Sequence, residues 1–428
     1  MTAALRRSFD SLSVDNYRRY FGGQLVSLSG NWMQTVAEVW LILELTGSGV
    51  AVGLTTALQF LPILLFGAWG GLLADRFPKR RLLLVTQALM ALPALALFAL
   101  SIGGSVTPPL VYALVFARGT VNAVDNPTRQ SFVIEMVGAD RVVNAVSLNS
   151  VLVHSARIAG PALAGVLIAT VGVQPCFALN ALSFGAMIVA LLRMDAAQLR
   201  PAPRAARERG GVWSALRYVR STPELAVPLG LMALVGTLGL NFQVILPLLA
   251  RFSFDGGATA YAILVCAMGV GSVAGALVTG ARARTGPRLV AGSALAFGLL
   301  ALLAAAMPAL AFEVPVLALL GAASVTFAAT INSTLQLAVS HEMRGRVMAL
   351  YSIVFLGSTP IGGPLAGWLS EAYDPRVALL LAASAGLSAA WAARAYAASG
   401  RWPAATSSRS SRDRAEVDEE ITAGLPVP

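Results

Sequence analysis

Charge is what this chain has least of. Only 12% of its 428 residues are Asp, Glu, Lys or Arg, about half the share of a soluble protein. Lysine is nearly absent: Lys79 is the only one, and every other basic side chain of that class is arginine. Histidine occurs twice, at His154 and His341, far apart in the chain. Cysteine also occurs twice, at Cys176 and Cys266, each inside an apolar run, so no disulfide framework is implied. There is no Walker loop, which excludes ATP as the direct energy source. No metal-ligand cluster and no catalytic constellation is visible, so neither an enzyme, a metal nor a cofactor is expected.

Apolar surface is what the chain has in surplus. Hydrophobic residues make up 57% of it, and the mean hydropathy is +0.72. Apolar area on that scale needs lipid as its solvent, so the sequence reads as a polytopic membrane protein. The net charge of +10 could suggest nucleic acid. The basic residues argue otherwise, because they sit in short loops between apolar runs. Runs long enough to span a bilayer lie near 20–45, 49–73, 82–102, 109–126, 143–171, 174–193, 225–249, 258–280, 287–307, 314–338, 346–371 and 376–397. The first follows Arg6, Arg7, Arg18 and Arg19 and ends without a small-residue cleavage site, so it reads as a retained helix.

Loop charges set an orientation. Arg76, Lys79, Arg80, Arg81, Arg129, Arg141, Arg282, Arg284, Arg288, Arg344 and Arg346 fall on one side. The loops near 46–49, 102–108 and 171–175 carry no charge, with Arg251 and Arg376 the exceptions on that side. This bias predicts that both termini and the central loop are cytoplasmic in a multi-pass cell-membrane protein. The expected organisation is a cytoplasmic segment 1–19, a six-helix bundle 20–193, a cytoplasmic loop 194–224, a second six-helix bundle 225–397 and a disordered tail 398–428. In the loop, Pro201, Pro203 and Gly210-Gly211 break any helix. Val212, Leu216 and Val219 then share one face, which fits either a short amphipathic helix on the inner leaflet or a solvated linker.

One stretch occurs twice. Asn126 opens N-P-T-R-Q, followed by Glu135-Met136, Arg141-Val142 and I-A-G-P-A-L-A-G ending at Gly165. Half a chain later, Asn332 opens N-S-T-L-Q, followed by Glu342-Met343, Arg346-Val347 and I-G-G-P-L-A-G ending at Gly367. Four matches in the same order indicate a duplicated unit, and hence two pseudo-symmetric halves.

Between the second and third runs stands G-L-L-A-D-R-F-P-K-R-R, Gly71 to Arg81. Twelve spans in two halves with this loop resemble the major facilitator superfamily, whose signature loop reads G-x-L-a-D-R-x-G-R-(R/K). The chain matches at Gly71, Leu73, Ala74, Asp75, Arg76, Lys79 and Arg80, with Pro78 in place of the usual glycine. The resemblance implies that Asp75 meets the start of the eleventh helix near Gly345 in the outward-facing state, and that Lys79 pairs with Asp125. The second-half counterpart, Gly280 to Arg288, has no aspartate, so the latch is expected on one side only. Gly160, Pro161 and Gly165 are similar to the family's antiporter motif, with the closing glycine one residue late. That motif carries two readings, export or close helix packing alone. The first-helix stretch from Gly23 to Ala37, the D-N-P-T-R-Q segment and H-E-M-R-G-R-V-M-A-L-Y resemble the secretion-effector subgroup that includes enterobactin exporters.

Polar groups inside the spans are costly, about 2.5–3.5 kcal/mol for a central charge. Asn31, Gln34 and Glu38 share a face of the first helix, and Arg118, Asn122 and Asp125 share a face of the fourth. Arg157 lies mid-span in the fifth, Asn241 and Gln243 in the seventh, and Asn332 and Gln336 in the tenth. The resemblance implies that the first, fourth, seventh and tenth helices line a central cavity; the alternative is that these groups bridge helices within one half. Glu38 is the candidate proton carrier, with Asp125 next, because burial favours a neutral acid and an arginine partner favours the carboxylate. Arg118 and Arg157 are the candidate partners, and depth along the helices favours Arg157.

The expectation is an all-α membrane protein of twelve transmembrane helices in two pseudo-symmetric six-helix bundles. It is expected to export a small organic molecule, such as a drug, siderophore or secondary metabolite, against inward proton flow. Its expected partners are the bilayer, the substrate and protons, in a monomer. An importer or facilitator, or a non-transporting sensor or scaffold, are the alternatives.

Overall fold

The computed structural model describes residues 9–200, 212–282, 286–340 and 343–399. These residues are helical almost throughout, with no strand among them. The first six helices are α1 (Asp15–Thr46), α2 (Gly49–Arg76), α3 (Lys79–Ile102), α4 (Pro108–Val137), α5 (Val142–Thr170) and α6 (Gln174–Leu192). A short α7 (Val212–Ser221) precedes α8 (Pro223–Gly239) and α9 (Phe242–Leu248), which a π turn continues through Leu249–Ser253. The chain then forms α10 (Ala258–Arg282), α11 (Pro287–Ala305), α12 (Leu310–Ala338), α13 (Arg344–Gly357), α14 (Thr359–Ala372) and α15 (Pro375–Ala398). The expected disorder after Gly400 and the Pro201–Gly211 break lie outside the described residues.

Local chemistry sets the ends. Gly47 closes α1 with φ 63° and Gly138 closes α4 with φ 77°, a backbone region that favours glycine. Pro108 and Pro109 start α4, where a missing N–H costs nothing. The Asp374 side chain accepts from the Arg376 N–H at 2.8 Å and caps α15.

Among the described residues, ten helical stretches are long and apolar enough to cross a membrane, with Pro223–Ser253 and Arg344–Ala372 each counted once. α1 and α4 are outside those ten, although they have 32 and 30 residues. Their length suffices; the polar residues on their inner faces lower their hydropathy. α1 also starts earlier than its apolar run. Tyr17 and Tyr20 are buried there beside Phe132, and the Tyr17 hydroxyl donates to the Ala145 carbonyl at 2.8 Å. α4 runs past Gln130 to Val137. Two runs that read as continuous are interrupted: one at Leu240 and Asn241, the other at Ser358, just before Pro360. α7 does form; Ala215 and Val219 are buried against the protein, where α7 meets α8 and α13, and Leu216 is half-buried. Arg217 and Arg220 remain exposed.

The packing repeats. α1 packs on α5 and α6, α2 on α4, and α3 on α4 and α6. In the later helices α8 packs on α15, α10 on α12, and α11 on α12 and α15. The two most extensive contacts between the groups are α2 with α14, and α5 with α10, with smaller ones of α2 with α13 and of α9 with α1 and α2. They are close at the end away from Arg76, Lys79 and Arg141, here called the neutral end. A Cβ on Gly53 would stand 2.6 Å from the Gly363 carbonyl oxygen, and Gly367 faces the Gly49 carbonyl. Trp40 stacks on Tyr261 with ring centroids 6.1 Å apart. The Glu371 carboxylate at the end of α14 accepts from Ser48 Oγ at 2.5 Å and from the Val50 N–H at 2.9 Å, at the start of α2. At the opposite, basic end, Gly71 and Gly345 each face open space.

Candidate functional site

A cavity of about 610 Å³ lies among α1 to α5. Helical spacing places its walls. Gln24, Leu28, Asn31 and Thr35 form a stripe on α1, Arg118, Asn122, Asp125 and Arg129 on α4, and Val146, Asn149 and Val153 on α5. Trp32 and Phe60 add aromatic surface, and the amides add donors and acceptors.

Two buried charges meet beside this cavity. Arg118 reaches Glu38 at 2.5 Å, with side chains 6% and 1% exposed. Gln34 Nε2 donates to the other Glu38 oxygen at 2.7 Å. Asn180 in turn donates to Gln34 Oε1. The same Arg118 nitrogen also reaches Thr35 Oγ1 at 3.4 Å, a weak bond, while Arg118 Nε is buried without a partner. Removing one member of such a pair costs about 3–5 kcal/mol, because the other charge stays buried. Depth along the helices favoured Arg157 as the partner, and the structure gives Arg118. The guanidinium of Arg157 lies over the Trp32 ring, 4.9 Å from its centroid. Gln34 is buried behind the wall and does not line the cavity.

Asp125 holds a second knot. One oxygen accepts from Thr86 Oγ1 at 2.6 Å and Gln87 Nε2 at 2.8 Å. The other is paired with Arg129, which also donates to Gln24. The implied Lys79–Asp125 pair is not formed: Lys79 reaches Glu135 at 2.6 Å. Glu135 lies near the end of α4, level with the start of α3, whereas Asp125 lies almost three turns deeper.

The remaining amides are scattered. Asn31 and Asn122 line the cavity, and Asn31 Oδ1 is buried without a partner. Asn241 sits at the break between α8 and α9, donates to the Thr237 carbonyl at 2.7 Å and faces Gly362. Gln243 Oε1 is buried and unpartnered. Gln336 donates to Asn332 at 2.5 Å along α12. None of these four later amides lines the cavity.

The family model described as transmembrane secretion effector matches residues 7–423. The chain belongs to that family, within the major facilitator superfamily. It is therefore a multi-pass membrane transporter and not an enzyme. The multidrug efflux pump Tap of Mycobacterium tuberculosis is 27% identical over 363 residues, 81% of this chain and 85% of that protein. The enterobactin exporter EntS of Citrobacter koseri is 26% identical over 347 residues, 79% of this chain and 78% of that protein. The staphyloferrin A transporter of Staphylococcus aureus is 24% identical over 262 residues, 60% of this chain and 65% of that protein's length. The crystal structure of the nucleoside transporter NupG covers 89% of this chain and 98% of its own, with a TM-score of 0.69 at 15% identity. At that identity the likeness is one of fold.

The transporter's signature residues divide by their contacts. Asp75 and Arg76 are exposed and make no side-chain hydrogen bond among the described residues, and Gly71 has open space beside it. The implied contact between Asp75 and the helix start near Gly345 is absent in this state. Arg80 donates to the carbonyls of Leu191 and Leu192 at 2.8 and 3.0 Å, tying α3 to the end of α6. In α5, a Cβ on Gly160 would stand 2.6 Å from the Ser29 carbonyl oxygen, so this glycine lets α5 approach α1. Gly165 instead faces Ala262 of α10, and Pro161 lies between them within the helix.

Proposed function

We propose that this transporter exports a small organic molecule by alternating access of two six-helix halves, α1–α6 and α8–α15, with a proton carried inward by Glu38. The basic end is cytoplasmic in this reading, as the loop arginines favour, and the state described here opens inward. Efflux in the names of Tap and EntS supports the direction. The Glu38–Arg118 pair carries the coupling argument. It is buried beside the cavity wall, and its Arg118 member reaches that wall. A proton arriving on Glu38 neutralises it and frees Arg118. Release of that proton to the cytoplasm restores the pair. Each proton moving inward contributes about 2.3 kcal/mol per 100 mV of membrane potential. Asp125 is the second carrier candidate, but it has three donors in its knot and must break more bonds to accept a proton. Asn31, Asn122 and Arg118 are the substrate contacts this reading assigns on the cavity wall.

The test uses Glu38→Gln in proteoliposomes, with a compound that cells lacking the transporter retain. The variant is expected to exchange substrate across the membrane yet lose accumulation driven by a pH gradient. Full uphill transport by Glu38→Gln would move the carrier role to Asp125.

A further inference from the structure

Three of the arginines near the cavity differ in one respect. Arg118 is paired with Glu38 and Arg129 with Asp125. Arg157 has no carboxylate and no hydrogen-bond partner among the described residues, and its Nε is buried. The Trp32 ring faces it, at 4.9 Å. Its place follows from helix spacing. Val146, Asn149 and Val153 line the cavity from α5, and Arg157 is the next residue of that stripe, one turn further in. Arg157 is not itself a lining residue; its guanidinium lies against Trp32, which lines the cavity.

The opposite half offers Arg157 no partner at mid-depth. In α8 to α15 the carboxylates are Glu224, Glu313 and Glu371, each within about one turn of a helix end. Rocking the halves together therefore brings no protein anion to the middle of the cavity. An isolated guanidinium in the membrane interior is costly and marks a functional site by default. We infer that Arg157 and Trp32 form the subsite for an anionic group on the substrate, so that the transported molecules are small organic anions carrying a carboxylate or a similar planar acid. Arg157 has a fork of donors that matches a carboxylate. Trp32 offers a face for an adjoining ring, and Asn31 beside it lines the cavity with an amide whose buried carbonyl oxygen has no partner. Arg118 is unsuited to this role because Glu38 already neutralises it.

The inference rests on the reading that the cavity is the substrate path, but not on proton coupling. It is tested on the purified full chain in nanodiscs, without any gradient. Radiolabelled salicylate is the probe; unlabelled salicylate, its neutral isostere salicylamide, and benzylamine are the competitors. The wild type is expected to prefer salicylate over salicylamide by about tenfold or more, equivalent to about 1.4 kcal/mol, and to ignore benzylamine. Arg157→Gln is expected to bring the ratio close to unity, and Arg157→Lys to keep part of it. No salicylate binding by the wild type, equal competition by salicylamide, or an unchanged preference in Arg157→Gln would overturn the assignment. The wild-type ratio and the lysine variant decide the matter if the glutamine variant fails to fold. Selective binding with no uphill transport would sink proton coupling alone. Uphill transport without selectivity would sink the anion subsite alone.

Discussion

Removing the charge from Glu371 is expected to open the neutral end. The carboxylate belongs to α14, while both of its donors, Ser48 Oγ and the Val50 N–H, belong to the start of α2. Glu371 therefore caps a helix of the other half. A negative charge at a helix N-terminus contributes about 0.3–1 kcal/mol when exposed. Exchanging charge-assisted for neutral hydrogen bonds loses about 1 kcal/mol more. Glu371→Gln keeps an acceptor and the shape, so the loss comes to about 1–2 kcal/mol, a shift of roughly 5- to 30-fold between closed and open populations at that end. The assay places spin labels at Ile102 and Phe312, both exposed, in a background without Cys176 and Cys266. These positions lie at the neutral ends of α3 and α12. Double electron–electron resonance is expected to show a longer-distance population growing in Glu371→Gln, and less so at high salt, which screens exposed charges. An unchanged distance distribution would refute the idea that this carboxylate holds the halves together.

Gly160→Leu is expected to insert in the membrane yet lose efflux, because its side chain would meet the Ser29 carbonyl and Trp32 Cβ, each 2.6 Å from the first added carbon; undiminished efflux in transport-deficient cells would refute tight α1–α5 packing. Asp75→Asn is expected to leave the melting temperature unchanged, since Asp75 is exposed and has no partner among the described residues in this state. It should slow turnover about two- to fivefold, the worth of one helix-end charge. A wild-type rate in that variant would remove the latch at the basic end.

Much of this fold is legible as hydropathy. The apolar runs are helical, two of them in two pieces, and the duplicated stretch falls on helices whose packing repeats. Hydropathy misses helix that is polar for a reason. The last turns of α4 and the first of α1 are held by buried aromatics, the Tyr17–Ala145 hydrogen bond and the Lys79–Glu135 pair. The site was legible only in part. Spacing marks Glu38 and Arg118 as facing residues on their helices, but depth alone cannot choose between Arg118 and Arg157. That choice depends on how each helix is rotated about its axis. Thr86, Gln87 and Asn180 were missed although each interrupts an apolar run; a lone amide in α3 or α6 was signal enough. Asn332 and Gln336 look like cavity residues in sequence; in the structure they bond to one another and do not line the cavity among α1 to α5.

The crossing of α2 and α14 has one more consequence. Gly49, Gly53, Gly363 and Gly367 bring backbone against backbone, so at these four positions no side chain of their own stands between the helices. Interdigitated side chains would act as teeth and separate in steps of a helical turn, each with its own barrier. Two bare backbones form a smooth bearing, on which one helix can roll over the other through a continuum of angles. Friction at this crossing is therefore low. The timing of the neutral end is left to its few polar contacts, and small changes in pH, salt or sequence there should alter the rate of opening far more than changes elsewhere along the two helices.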